Sequence, residues 1–448
     1  MTMQELIYLI LVFCFGWFMV GILVKKITLE EHIGLSLLMG FGIHSVLYFV
    51  FVLYFALLNT SSLIFLAGET VVVVLLSFIT RKHSSHININ KDQKLRRIID
   101  IVLVALSSLV LLYTFIRCVY WPVYEPDTLY LYDFRAQRLL AGDISIFFKG
   151  TSFYQNNLYP PFTSLMHFFL YQVGSVNPKI IYPLILLAFY FVIVGYVKRQ
   201  TKSNLSGLLV GTLILLTPSV MWNSVIAESN IVFMAYLSLG SLYILDDPES
   251  GSGRIGKVLL GSLLLGLSAW IRAEPFWVVP LGVFSIKSLL KKDILMIIVA
   301  TIIVLSMSRL WLESVARYNV IGVPPPSITK IVEQVKVVVD QSKRYDLAYD
   351  LNVALHFLNP LYRSWGLIPP LFIAVVTAEI IIFRKMPNWI EVVAILLSSS
   401  VILGLVSFSH RFTQWTGLDD SVYRMATMVV PLYWVSILTS RIWKNIRV

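Results

Sequence analysis

Apolar runs about as long as a bilayer is thick divide this chain. A helix needs roughly 20 apolar residues to cross the hydrocarbon core. Candidate runs are 4–24, 33–58, 61–80, 98–118, 179–197, 206–224, 229–245, 256–271, 275–290, 293–312, 361–383, 389–408 and 422–441; 256–271 and 275–290 are short. Of the 448 residues, 57% are hydrophobic and 14% charged, against about 25% charged in a soluble domain. That much apolar surface requires lipid as solvent. The expected fold class is an all-α polytopic membrane protein with about 13 transmembrane helices and juxtamembrane helices in its outer loops.

Charge placement sets the expected topology. The net charge is +11, but the basic residues cluster at the ends of apolar runs, as topology signals do. The bilayer is therefore the expected partner, and nucleic acid is not. Alternating the runs from an outer N-terminus puts Lys25/Lys26, the stretch 81–97, "KRQTK" (198–202), 246–257, Lys287/Lys291/Lys292, Arg384/Lys385 and the basic C-terminus inside. No basic residue precedes the first run and no small-residue cleavage site follows it, so a retained helix is expected rather than a signal peptide. Size and the lack of long eukaryotic-type loops make a bacterial cytoplasmic membrane the expected location. Cys14 and Cys118 lie in apolar runs, which excludes a disulfide framework and a cysteine metal site.

Two stretches, 119–178 and 313–360, break the alternation, and both fall outside. "PPFTSLMHFFLYQVG" (160–174) is too short to span and reads as an interfacial helix begun by Pro160 and Pro161. Ile328, Ile331, Val332, Val335, Val338 and Val339 recur at helical spacing, so 326–342 reads as an amphipathic surface helix.

The densest chemistry lies in "WPVYEPDTLYLYDFRAQRLLAGD" (121–143). Pro126 and Gly142 suit the start and stop of a helix over 126–141, with Asp127 in its first turn. Regular winding would put Asp127, Leu131, Arg135 and Arg138 on one face, with Leu129, Tyr132, Ala136, Leu139 and Leu140 opposite. A carboxylate can take a proton from an attacking hydroxyl, and guanidinium groups can hold phosphate. This layout suits group transfer from a phosphate-linked donor to an alcohol or amine. The bland alternative is a charged surface helix that pairs its own ions.

The order "EPD…YDFRAQRLLAGD", then "YPPFTSLMHFFLYQVG", resembles GT-C glycosyltransferases, the polytopic enzymes that use polyprenyl-phosphate sugars, such as protein O-mannosyltransferases and the lipid A aminoarabinose transferase. Asp127 matches the family's first acid, Thr128 stands where a second is often found, and "YPPF" from Tyr159 matches its Pro-Pro helix. Glu228 fits the acid of the next outer loop, and "GLSAWIRAEPF", with Arg272 and Glu274, is similar to a break between two short helices. "DSVYRMATMVVPL" (420–432), with Arg424, resembles the start of a late helix. The likeness spans about 98–441. It leaves 1–97 as an N-terminal three-helix extension with a basic inner loop, ahead of a catalytic module at 98–448.

The resemblance implies an outer-facing cavity in which Asp127 is the general base, the sugar's configuration inverts, and the acceptor is a hydroxyl on a glycan, lipid or protein. It implies that Glu228 binds or orients the acceptor. Asp133 is the rival base. Arg135, Arg138, Lys149, Arg411 and Arg424 are candidates for the donor phosphate, with Tyr159, Arg272 and Glu274 as further substrate-binding residues. The histidines show no zinc spacing. A divalent metal on Asp127 and Glu228 is possible, since some relatives use one, and no metal ligand is assigned. A flippase would more often show paired halves and midplane charge, and no internal repeat is evident. A lipid-linked glycan polymerase or ligase would lean on arginines and a large late loop rather than on an early-loop acid.

Overall fold

The computed structural model describes residues 2–55, 61–80, 85–86, 94–125, 127–147, 159–246, 252–318, 367–384, 386–411 and 424–446. It is 85% helical. Seven helices are long and apolar enough to cross a membrane. They are α1 (Met3–Leu23), α2 (Leu29–Phe55), α3 (Ser62–Thr80), α4 (Lys94–Tyr120), α7 (Ile181–Thr201), α11 (Ser252–Ile271) and α13 (Ile294–Tyr318). Short helices α5 (Phe134–Leu140) and α6 (Phe162–Gln172) lie between α4 and α7. Shorter apolar helices are α8 (Asn204–Leu216), α10 (Ser229–Leu245), α12 (Val278–Leu290), α14 (Ile368–Phe383), α15 (Trp389–Arg411) and α16 (Val430–Thr439). Two six-residue helices, α9 (Pro218–Asn223) and α17 (Arg441–Ile446), complete the set among the described residues. The run at 206–224 is broken because Pro218 cannot continue α8 and instead opens α9.

Helix α10 is buried along its whole length; α7, α11 and α12 pack around it, and α2 packs on α7. The outer helices α3, α4 and α13 expose apolar faces, for example Ile101, Leu109, Leu112 and Ile116 of α4. Such faces are stable only where lipid replaces water. The N-terminal helices share one core with the rest. Tyr236 Oη donates to the Leu38 carbonyl at 2.5 Å and Trp270 Nε1 to Ser45 Oγ at 3.1 Å. Helices α1 and α2 touch backbone to backbone: a Cβ added at Gly16 would fall 1.8 Å from the Ser36 carbonyl oxygen, and one at Gly40 2.2 Å from that of Val12. Small residues permit such contacts between membrane helices.

The loops expected inside gather at one end of the bundle. Thr28-x-x-Glu31 forms a capping box at the start of α2, with Thr28 N to Glu31 Oε2 at 2.9 Å and Glu31 N to Thr28 Oγ1 at 3.2 Å. The same carboxylate pairs with Arg199 at 2.9 Å, and Arg199 reaches Asp246 at 2.8 Å. Lys257 also reaches Asp246, at 2.7 Å. Lys26–Ile27 pairs in parallel with Ser85–His86. Trp443 Nε1 of α17 donates to Ser206 Oγ at 3.4 Å, which brings the C-terminal helix to this end.

Helix α6 corrects an expectation. It does not rest a face on an interface, because Phe162–Leu170 are all buried, packed against α2, α5 and the turn before α5. The amphipathic segment 326–342 lies outside the described residues.

Candidate active site

At the end opposite the basic loops, two anchors fix the chain that carries Asp127. Asn177 Nδ2 donates to the carbonyls of Cys118 at 2.8 Å and Trp121 at 3.1 Å, closing the C-terminus of α4. The buried Lys179 ammonium donates to Glu125 Oε1 at 3.0 Å and sits 4.8 Å from the centre of the Tyr124 ring. Downstream, the buried Asp133 carboxylate takes hydrogen bonds from His167 Nδ1 (3.1 Å), Tyr171 Oη (2.6 Å) and Gln137 Nε2 (2.7 Å). Burial pushes the Asp133 carboxyl up, but these donors outweigh it and hold it below the ordinary range.

Between the anchors, Thr128–Asp133 is wound as a π-helix, which becomes α5 at Phe134. A π-turn takes an extra residue, and each residue turns a helix by about 100°. The expected shared face is therefore overturned. Asp127 and Leu131 line a cavity. Arg135 is buried and donates from Nη1 to the Tyr159 carbonyl at 2.9 Å; burial lowers its guanidinium to about 10. Arg138 points outward to Asp143 at 2.6 Å. Asp133, the rival base, is committed to its anchor rather than to the cavity wall. The stop at Gly142, φ +85°, is as expected.

Two stitches bring the second acid opposite the first. Thr128 Oγ1 donates to the Ala227 carbonyl at 2.9 Å, and Tyr132 Oη and Ser229 Oγ hydrogen bond at 3.0 Å. Asp127 precedes Thr128 and Glu228 sits between Ala227 and Ser229, so the acids face each other. Arg424 Nη1 lies 3.1 Å from Asp127 Oδ2 and 3.4 Å from Glu228 Oε2. Glu228 stands at the N-cap of α10 but makes no capping bond; its Oε2 accepts from Asn230 Nδ2 at 2.8 Å. Burial pushes the Glu228 carboxyl above its ordinary value and Asp127 adds to this, against the pull of Arg424.

Arg272 and Glu274 pair with each other just past α11. Nη2 meets Oε1 at 2.5 Å and Nε meets Oε2 at 3.1 Å. Arg272 Nη1 also donates to Asn230 Oδ1 at 2.5 Å. Asn230 thus ties the Arg272–Glu274 pair to the Glu228–Arg424–Asp127 group. Sequence reading missed Asn230. An amide side chain at the head of a mostly apolar helix was the available signal, as was His167 within apolar α6.

These groups line a cavity of about 740 Å³. Asp127, Glu228, Arg272, Glu274, Arg424, Tyr132, Tyr159, Ser229 and Asn230 make its polar part. Leu131, Pro275, Phe276, Val278, Val279, Gly404, Leu405 and Met425, with Ser400, make an apolar part between the starts of α12 and the middle of α15. Tyr132 was expected on the opposite, apolar side of its helix. Arg411 ends α15, and Lys149 and the loop 412–423 lie outside the described residues. Among the described residues no group of three His, Cys, Asp or Glu side chains could hold a metal. A cation between Asp127 and Glu228 would compete with Arg424 for the same oxygens.

An amphiphile with a polar head and an apolar chain matches this division. A carboxylate at the polar end can accept a proton, and a neighbouring guanidinium can balance developing negative charge. No family model, curated protein or solved structure matches the chain.

Proposed function

We propose that the chain is an integral-membrane glycosyltransferase of the GT-C type, taking a sugar from a polyprenyl-phosphate donor to a hydroxyl on a glycan, lipid or protein acceptor. The observation that carries this reading is one cavity in which Asp127, Glu228 and Arg424 meet at a polar end while α12 and α15 supply an apolar wall. In this reading the isoprenoid chain lies along Phe276, Val279 and Leu405, and the phosphate-linked sugar lies at the polar end. Asp127 accepts the acceptor's hydroxyl proton as its oxygen bonds to the anomeric carbon. The bond from that carbon to the phosphate oxygen breaks on the opposite face, the lipid phosphate leaves with the electron pair, and the sugar inverts. Arg424 offsets the charge that grows on the phosphate. Glu228, partly buried and held by Asn230, orients the acceptor. The cavity faces the outer side in a bacterial cytoplasmic membrane.

The test uses purified protein in nanodiscs, a panel of radiolabelled polyprenyl-phosphate sugars and added membrane extract. Transfer of label from lipid to an acceptor supports the reading. Consumption of no donor, with lipid-linked oligosaccharide moved or joined instead, replaces it with a flippase or a polymerase.

A further inference from the structure

Away from the cavity, α1, α2, α3 and α6 enclose a second group of titratable side chains. His44 Nδ1 and Glu69 Oε2 are 2.7 Å apart, with the imidazole fully buried and the Glu69 side chain 8% exposed. Aromatic rings box the imidazole: Phe169 at 4.5 Å between centroids, Tyr8 and Tyr48 at 6.0 Å, Phe65 at 6.1 Å. Three polar atoms here are buried with no hydrogen-bond partner among the described residues: Tyr8 Oη, His44 Nε2 and Glu69 Oε1. Ionisable side chains within apolar helices are costly and mark proton or ion sites by default.

The titratable groups that face the imidazole are Tyr8 from α1, Tyr48 from α2 and Glu69 from α3; α6 presents Phe169, which carries none. None of these is a Lys or Arg that could balance the carboxylate. A neutral imidazole beside an ionised carboxylate would leave one negative charge inside the bundle. One added proton removes that charge.

We propose that His44 and Glu69 form an intramembrane proton-binding site, occupied by one exchangeable proton that makes the pair electrically neutral. The proton resides on the imidazole, facing a carboxylate, or on the carboxyl, facing a neutral imidazole. Both forms keep the Nδ1···Oε2 hydrogen bond. On release, Nδ1–H remains the donor to the carboxylate, and the proton departs from Nε2 or Oε1, the two atoms of the pair left unpartnered. The site is independent of the glycosyl-transfer reading.

The full chain in nanodiscs, labelled with 15N-histidine and 13C-glutamate, tests this by nuclear magnetic resonance. The expected result at neutral pH is a protonated pair: either both His44 nitrogens or the Glu69 carboxyl carry the extra proton. That proton leaves in a single step as pH rises. The His44 signals vanish in His44→Gln. In Glu69→Gln the imidazole becomes neutral, and in Tyr8→Phe the release midpoint moves. Wild type alone can overturn the proposal, whatever the variants' folding. A neutral imidazole beside an ionised carboxylate at neutral pH does so. So does a pair that releases no proton at any pH where circular dichroism and elution profile persist. Signals that follow sodium or potassium at constant pH would assign the site to a metal ion instead.

Discussion

Asp133 and Glu228 are each next to a residue of the two stitches that align the cavity, and their carboxyl groups are displaced in opposite directions. Asp133 is held below its ordinary value. Its contribution to stability is therefore present above the unfolded value, about 3.9, and lost as pH falls through the folded value. Asp133→Asn, which cannot satisfy His167, Tyr171 and Gln137 together, should destabilise the protein by roughly 1–3 kcal/mol near neutral pH. The loss should shrink in acid, and thermal melts over a pH series would read it. Glu228 is raised. It contributes most below the unfolded value, about 4.3, and that contribution fades as pH rises through the folded value. The melting midpoint of wild type relative to Glu228→Gln should therefore fall as pH rises from about 4 and then level off. A difference flat with pH would remove the buried-acid account of Glu228. At this scale Asp127, Glu228, Arg272, Glu274 and Arg424 were legible because ionisable side chains stand out between apolar runs. Arg135 and Arg138 were misplaced because a π-turn leaves no mark in a pattern read with regular helical spacing.

Among the elements, α6, α12 and α15 carry consequences that hydropathy does not show. Hydropathy marks α6 as apolar, but not that protein rather than lipid covers it. Burial of His167 explains its place: the helix must hold Asp133 from within. Hydropathy likewise finds α12 and α15 without revealing that they part to leave an apolar wall. Gly404 lies in that wall, and a Cβ built there meets nothing within 4 Å. Gly404→Leu should therefore fold normally but fill the groove. The expected outcome is donor binding weakened at least tenfold, about 1.4 kcal/mol, with the melting midpoint kept. Unchanged donor affinity in a folded Gly404→Leu protein would place the isoprenoid chain elsewhere.

Across the whole molecule, alternation of apolar runs with basic loops was enough to sort the described loops to two ends, because each helix reverses the chain. It could not show that α2 would share a core with α7, α10 and α11, since contacts between membrane helices depend on small residues such as Gly16 and Gly40 rather than on hydropathy. Orientation is tested with Val176, which is 94% exposed at the cavity end. In a cysteine-free background, Val176→Cys should react with a membrane-impermeant maleimide added to intact cells, and Lys26→Cys should not; the reverse pattern would turn the protein over. In the proposed reading the cavity transfers a sugar with Asp127 as base. The most direct test compares wild type with Asp127→Asn for both binding and turnover of a polyprenyl-phosphate sugar in nanodiscs. Similar donor binding is expected, with transfer reduced by roughly 10²–10⁴-fold, as loss of a general base requires. Equal transfer by the two proteins would contradict it.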